Sequence, residues 1–329
     1  MTPGAPPSLS LVFSYRNEEA VLEEFTSRVR KVLEGERLKG AIRTFELIFV
    51  DDDSQDGSID LLTRLAAGHQ DIKILAMSRC FGISPCALAG LEHSTGELVV
   101  YMDCDLQDPP EVIPQMLAAW KEGKDIDVVH TVRLSRDGDS AFRLLMTQLG
   151  YWLLRGLASI DLPVEAGDFK LLTRRAVEQL LRFKEKKPYL RGLVCWIGFN
   201  SETVPYHRAK RYSGTSKFPI LSWRVLGNFL ESALVSFSLA PLYVAGFLGL
   251  LAALPGLLAL ACILLETHRG RAIPGWSPAV AAVLCMGSLQ LLSLGAIGLY
   301  LGSILLEVKG RPNYIIKKRF GFAPEPQSL

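Results

Sequence analysis

Over the first 130 or so residues, apolar positions gather into short, mostly apolar runs separated by longer stretches where apolar and polar residues mix. The short runs, at 9–13, 45–50, 72–77, 98–102 and 127–132, are bounded by polar clusters and predict β-strands. Between them, 18–33, 58–67, 83–93 and 110–121 are longer and amphipathic, and predict helices. Strand and helix therefore alternate. Continuous apolar strands joined by helical crossovers predict an α/β domain whose sheet is mostly parallel and covered on both faces, with ligands bound beyond the carboxyl ends of the strands.

Past residue 217 the pattern changes. Residues 218–237 mix Trp223, Leu226, Phe229 and Leu230 with Arg224 and Glu231 at roughly helical spacing, which predicts an amphipathic helix lying on a bilayer surface. No residue is charged from 233 to 265 or from 272 to 306, and each run exceeds the roughly 20 residues that cross a bilayer core. Buried core helices are the alternative, but soluble helices rarely run uncharged for so long. The polar turn around 266–271, followed by Pro274-Gly275, predicts an antiparallel hairpin with spans at about 239–265 and 277–306. Lys210, Arg211, Lys217 and Arg224 precede it, and Lys309, Arg311, Lys317, Lys318 and Arg319 follow it. Only His268, Arg269 and Arg271 lie in the turn. The positive-inside rule then puts both ends in the cytoplasm. The expected organisation is a soluble domain over 1–217, the interfacial helix over 218–237, the transmembrane hairpin within 238–308 and a basic cytoplasmic tail over 309–329.

Composition narrows the partners. A net charge of +2 gives no reason to expect nucleic acid. The six cysteines have no Cys-x-x-Cys pair and no nearby histidine at zinc spacing, which fits a reduced compartment. Residues 1–8 lack the basic and apolar regions of a cleaved signal peptide.

The candidate chemistry lies just after the predicted strands. Ser14-Tyr15-Arg16-Asn17-Glu18-Glu19 follows the first, and Asp51-Asp52-Asp53-Ser54-Gln55-Asp56-Gly57 follows the second. Asn17 and Asp56 also suit the simpler role of capping the helices that come next. Three successive acids exceed what a cap needs, and they repel one another unless hydrogen-bond donors or cations sit among them. After the fourth strand, Asp103-Cys104-Asp105-Leu106-Gln107-Asp108 offers the carboxylates of Asp103 and Asp105 and the Gln107 amide as hard oxygen ligands for Mg²⁺ or Mn²⁺. Acids before Pro109-Pro110 also commonly just open a helix. Hard cations disfavour thiolate, so Cys104 is expected to point into the sheet.

After the fifth strand, Arg133, Arg136 and Arg143 accompany Ser135, Ser140 and Thr147, a composition suited to phosphate oxygens or to a solvated charged loop. Gly167-Asp168-Phe169 sets one carboxylate ahead of an apolar strand. Arg208, Lys210, Arg211 and Lys217 flank Ser213-Gly214-Thr215-Ser216, a loop able to close over phosphates or to bind anionic headgroups.

Taken together, Tyr15 to Glu19, the run from Val50 to Gly57, the run from Asp103 to Pro110, Arg133-Leu134-Ser135-Arg136, Gly167-Asp168-Phe169, Gly214-Thr215-Ser216-Lys217 and Glu307-Val308-Lys309-Gly310-Arg311-Pro312 resemble the inverting family 2 glycosyltransferases that make polyprenyl-phosphate sugars. That group includes bacterial polyprenyl-phosphate glucosyltransferases and dolichol-phosphate mannose synthases. The resemblance runs nearly end to end and is nearest to the bacterial type with two membrane helices. It implies the GT-A nucleotide-diphospho-sugar fold and a divalent metal, Mg²⁺ or Mn²⁺. By this resemblance Ser14, Tyr15, Glu18 and Asp52 hold the nucleoside, and Asp103, Asp105 and Gln107 hold the metal and diphosphate. Arg211 and Lys217 take the donor's phosphates as their loop closes; Arg133, Arg136 and Arg143 receive the lipid phosphate; Asp168 lies near the sugar, as an orienting group more than an obligatory base.

Four positions depart from the family's pattern. Ser14 stands where proline is usual, Asp53 where glycine is, Cys80 where asparagine is common, and Ser84-Pro85 where a charged pair is frequent. Asp53 bears on the donor's identity, since a turn there that needs a positive φ is costly for aspartate.

The expected activity is transfer of a hexose, glucose first, from a UDP-linked donor to undecaprenyl phosphate at the cytoplasmic face of a bacterial cell membrane, with both termini cytoplasmic. A homo-oligomer is compatible with the sequence. A processive polysaccharide synthase is one alternative, but in place of the Gln-x-x-Arg-Trp string of those enzymes the chain reads Arg191-Gly192-Leu193-Val194-Cys195-Trp196. A non-catalytic nucleotide-sugar-binding membrane protein is another.

Overall fold

A computed structural model of the chain describes residues 5–134, 166–186, 188–208 and 276–323, with isolated positions between 242 and 269. The interfacial helix expected at 218–237 lies outside the described residues, as does nearly all of the first expected span. The chain divides into two compact units, the first made of Met1–Tyr151, Ile160–Pro219 and Pro312–Leu329, the second of Trp152–Ser159 and Ile220–Arg311.

The first unit is an α/β layer structure on one eight-stranded sheet in the order β7-β5-β6-β4-β1-β2-β3-β8. Its predicted strands are present as β1 (Leu9–Tyr15), β2 (Phe45–Asp51), β3 (Ile72–Met77), β4 (Leu98–Asp103) and β5 (Val128–Arg133). The helices between them are α1 (Glu19–Leu38), α2 (Ser58–Gly68), α3 (Ile83–Glu92) and α4 (Ile113–Glu122), the last entered through a 3₁₀ turn at Pro110–Val112. β1 pairs in parallel with β2 and β4, and β2 with β3, so these strands deliver their carboxyl ends to one edge.

Alternation along β1 explains the layering. Leu9, Leu11, Phe13 and Tyr15 join one buried cluster with Leu22, Phe25, Val29 and Leu33 of α1 and with Leu47 and Phe49 of β2. Phe13 meets Phe25 edge-on, with ring centroids 5.0 Å apart. On the other face Val12 and Val50 receive α3 at Gly90, where a Cβ would come within 2.2 Å of Val12 Cγ1, so only glycine admits the helix so closely.

Four elements of this unit were not among those expected. β6 (Ala166–Thr173) runs antiparallel between β4 and β5 and buries Lys170, whose charge breaks the apolar signal. β7 (Ser201–Tyr206) is a polar edge strand parallel to β5. The short helices α5 (Arg174–Leu180) and α6 (Leu190–Trp196) lie between β6 and β7. In addition, the stretch read as a basic tail contains β8 (Ile316–Phe320), antiparallel to β3. Its Phe320 packs on the core while Lys317, Lys318 and Arg319 are exposed, the charged dress usual for an edge strand.

In the second unit α7 (Trp276–Val308) is a 33-residue helix that covers the second expected span, 277–306. Its part Met286–Val308 is long and apolar enough to cross a membrane, and Leu291, Leu294 and Leu301 are each more than 60% exposed. The hairpin partner of this helix is not among the described elements.

Candidate active site

Among the described residues, the candidate loops emerge at one edge of the sheet. Ser14 is in register with Asp103 on β4 and with Val50 on β2, and Tyr15 with Asp51. β6 runs the other way, so its first residues, including Asp168, reach the same edge, as do the last residues of β5 and β7.

The loops after β1 and β2 are stitched together. Asn17 accepts from the Gln55 amide at 2.8 Å and its own N–H donates to Ser54 Oγ at 3.0 Å, while Glu18 N donates to Ser58 Oγ at 3.0 Å. Glu19 accepts from Gly57 N at 2.9 Å. Asp56 accepts from Ser58 N at 3.1 Å and from Glu19 N at 3.3 Å, but the cap position of α2 is Gly57, not Asp56. Asn17 does not cap α1; it serves the neighbouring loop instead. Asn17 and Asp53 both adopt positive φ, 53° and 59°, so the Asp53 turn does require the conformation for which glycine is best suited.

The residues assigned to the nucleoside are largely engaged with the protein. Ser14 Oγ lies 3.2 Å from the Tyr101 hydroxyl. Tyr15 is 4% exposed, its hydroxyl is buried without a hydrogen-bond partner, and burial, reinforced by Asp51, pushes its pKa up. The Asp52 carboxylate accepts from Phe81 N at 2.6 Å, Gly82 N at 3.1 Å and the Cys80 thiol at 3.2 Å. Asp52 thus holds the loop ahead of α3, and the cysteine that replaces the family's usual asparagine still supplies a donor to it. Glu18 is half-buried.

From residue 103 to 108 burial alternates. Asp103, Asp105 and Gln107 are half-exposed, whereas Cys104, Leu106 and Asp108 are at most 3% exposed. The three proposed ligands therefore share one face, and Cys104 points into the core as expected. Leu106 has φ 57°, a conformation that costs a non-glycine residue about 1–2 kcal/mol. Burial of its side chain offsets that cost, and Asp105 Oδ1 closes the turn by accepting from Gln107 N at 3.1 Å.

Burial, then the charges of Asp168, Asp105 and Asp108, raises the Asp103 pKa to about 7. Such a concentration of acid is relieved by a cation, and hard oxygen donors on one face fit Mg²⁺ or Mn²⁺. Among the described residues no three acids, histidines or cysteines form a closed metal site.

Behind this loop lies a second charge cluster. Asp108, 1% exposed, accepts from the Tyr206 hydroxyl at 2.5 Å and lies 3.3 Å from Arg208 Nε and 3.9 Å from Arg133 Nη2. Arg133 Nε also donates to the Tyr206 hydroxyl at 3.2 Å. Gly167 makes room for this guanidinium, since a Cβ there would lie 3.2 Å from Nη2. Arg208 Nη2 is 3.9 Å from Asp105 Oδ2. Asp168 receives a two-pronged ion pair from Arg191 of α6, Nε to Oδ1 at 2.8 Å and Nη2 to Oδ2 at 2.5 Å. Burial alone raises the Asp168 pKa, but Arg191 outweighs it and holds the carboxyl at about 2.

The structure thus brings Ser14, Asp103, Asp105, Gln107, Arg133 and Asp168 to one edge. Arg136, Arg143, Arg211 and Lys217 lie outside the described residues. Sequence reasoning gave no role to Asp108, Arg191 or Tyr206, and it read Arg208 as a base flanking the loop at 213–216, whereas the structure sets it against Asp108 and Asp105. Asp108 had a local signal, as a further acid in the 103–110 run, and Arg191 was read only against the polymer-synthase string. Tyr206 had none, because its partners are remote in sequence.

The family model described as Glycosyl transferase family 2 matches residues 10–181. The chain is 37% identical over 313 residues to the uncharacterized glycosyltransferase YkcC of Bacillus subtilis (strain 168), covering 95% of this chain and 94% of that one. It is 33% identical over 311 residues to the SfII prophage-derived bactoprenol glucosyl transferase of Shigella flexneri, covering 94% and 97%. Among solved structures, a mannosyltransferase from Pyrobaculum calidifontis in complex with GDP-Man and Mn²⁺ aligns over 94% of this chain and 88% of its own, at 20% identity and a TM-score of 0.46.

Proposed function

Because the chain belongs to glycosyl transferase family 2, we propose that it transfers a hexose, glucose first, from a UDP-linked sugar to polyprenyl phosphate, with undecaprenyl phosphate as the bacterial form, inverting the sugar carbon. The observation that carries this reading is the near full-length similarity to a bactoprenol glucosyl transferase. Supporting it is a carboxylate-rich edge where phosphate-binding arginine and acid ligands meet.

In this reading the acceptor's phosphate oxygen attacks the anomeric carbon from the face opposite the departing diphosphate; one C–O bond forms as the other breaks. A phosphate monoester is already ionised near neutral pH, so no strong base is needed and positioning supplies most of the acceleration. Asp168, with both oxygens held by Arg191, serves to orient the sugar. Asp103, Asp105 and the Gln107 amide would hold Mg²⁺ or Mn²⁺, whose charge stabilises the leaving diphosphate. Arg133 carries positive charge into the same edge for the lipid phosphate, together with Arg136 and Arg143. Arg211 and Lys217 serve the donor's phosphates, and Ser14, Tyr15, Glu18 and Asp52 line or brace the nucleoside side.

Topology supports a membrane hairpin. The chain leaves the sheet after Tyr206 and rejoins it at β8, directly after α7, so it begins and ends this excursion in one domain. A single crossing by α7 cannot return it there. With α7 as one crossing, the uncharged run from 233 to 265 is the segment this reading assigns to the other. The basic flanks favour the cytoplasm for that domain.

Purified protein with Mg²⁺ or Mn²⁺, labelled UDP-glucose and polyprenyl phosphate is expected to yield one labelled lipid-linked sugar, and Asp105→Ala to abolish it. An unchanged rate in Asp105→Ala would sink the metal role. A polymer would indicate a processive synthase, and donor binding without turnover on any acceptor a non-catalytic binder.

A further inference from the structure

The far end of α6 carries an exposed aromatic residue that the chemistry above does not use. Leu190, Gly192, Leu193 and Val194 are buried and fix the inward face of the helix, while Trp196 in its last turn is 56% exposed. Phe183 meets it edge-on, with ring centroids 5.2 Å apart and planes at 87°. Arg182 and Lys184 beside them are exposed, and the strand of sequence 182–187 carries Arg182, Lys184, Lys186 and Lys187 against the single acid Glu185.

We propose that this surface of Phe183, Lys184 and Trp196 seats in the anionic headgroup layer of the bilayer. A tryptophan with its ring exposed beside several cations is the chemistry of the membrane–water interface: the apolar ring enters the acyl boundary and the cations meet lipid phosphates. A second observation ties the surface to the membrane. Asn313 Nδ2 donates to the carbonyl of Glu185 at 2.8 Å, in the middle of this strip. Val308 ends the apolar helix segment five residues earlier, and five residues reach at most about 18 Å. The aromatic pair and its cations are therefore anchored by a short covalent lead from the end of that segment. The inference rests on α7 spanning a bilayer. It adds a second contact of the catalytic domain with lipid, and Arg191 on the same helix as Trp196 links that contact to Asp168.

The test uses the full chain reconstituted in vesicles of phosphatidylcholine and phosphatidylglycerol brominated in the acyl chains, which quench tryptophans near the boundary. The chain has five tryptophans, so wild type is compared with Trp196→Phe, which keeps an aromatic partner for Phe183, and with Trp120→Phe as control. The quenched amplitude is expected to fall in Trp196→Phe and to stay at the wild-type level in Trp120→Phe. In Lys184→Ser it is expected to fall when phosphatidylglycerol is present. Equal quenching in wild type and Trp196→Phe, with the protein inserted, overturns the proposal alone. Failure of the chain to insert in vesicles at all overturns the membrane-spanning reading, and the proposal with it.

Discussion

Asp108→Asn tests whether the buried charge cluster behind the acidic loop holds the site together. The substitution keeps shape and an acceptor oxygen for Tyr206 but removes the negative charge that faces Arg133 and Arg208. Removing one partner of a fully buried pair costs about 3–5 kcal/mol. The arginine side chains are 16% and 28% exposed, which moves the expectation to the lower end, about 3 kcal/mol. For a chain of 329 residues that corresponds to a fall in Tm of roughly 4 °C. Denaturant unfolding in mild detergent, followed by near-ultraviolet circular dichroism, gives the measurement. Tyr206→Phe is expected to cost about 1 kcal/mol, and the double variant less than the sum, because Asp108→Asn already weakens, by removing its charge assistance, the hydrogen bond that Tyr206→Phe removes. A loss under about 0.5 kcal/mol in Asp108→Asn, or strict additivity with Tyr206→Phe, would refute the cluster as a structural unit.

Arg191→Gln removes the main cation that keeps Asp168 ionised, leaving burial to raise its pKa against the smaller pull of Lys170 and Arg133, so the acid limb of the kcat/KM profile is expected to move to higher pH. The depressed pKa also contributes stability that is present above the unfolded value of about 3.9 and lost as pH falls through about 2. The variant should therefore be less stable at neutral pH by roughly 2 kcal/mol and lose less on acidification; an unmoved acid limb would count against a role for the pair in turnover. Asp53→Gly relieves a positive φ and should raise stability by up to about 1 kcal/mol in the same unfolding assay, whereas a loss would mean that the Asp53 side chain contributes more than the turn costs.

The parts of the fold that the sequence made legible are those where burial and local pattern agree. β1 to β4 are mostly apolar runs, interrupted only by Ser10, Ser14, Glu46 and Lys73, and the acids after β2 and at the end of β4 stand at the sheet edge where the apolar run ends. β6 escaped notice because Lys170 is buried in its middle, and β7 because Ser201, Glu202 and Thr203 face water at an edge. Asp52 illustrates the limit for the site. Its position after β2 is local, but the amides of Phe81 and Gly82 that occupy its carboxylate come from the loop after β3. The same holds for Asp108, whose meaning depends on Tyr206 and Arg208 almost 100 residues later.

β8 bears on how the protein is made. The strand that completes the sheet beside β3 leaves the ribosome long after its partner, Ile72–Met77. Until translation reaches Phe320, one side of β3 has no ladder partner, and an open edge of this kind invites pairing with other chains. The apolar helix α7 precedes β8 in the chain, so it is synthesised before the strand that closes the sheet. A nascent chain stalled before residue 316 therefore carries the helix but an unfinished sheet.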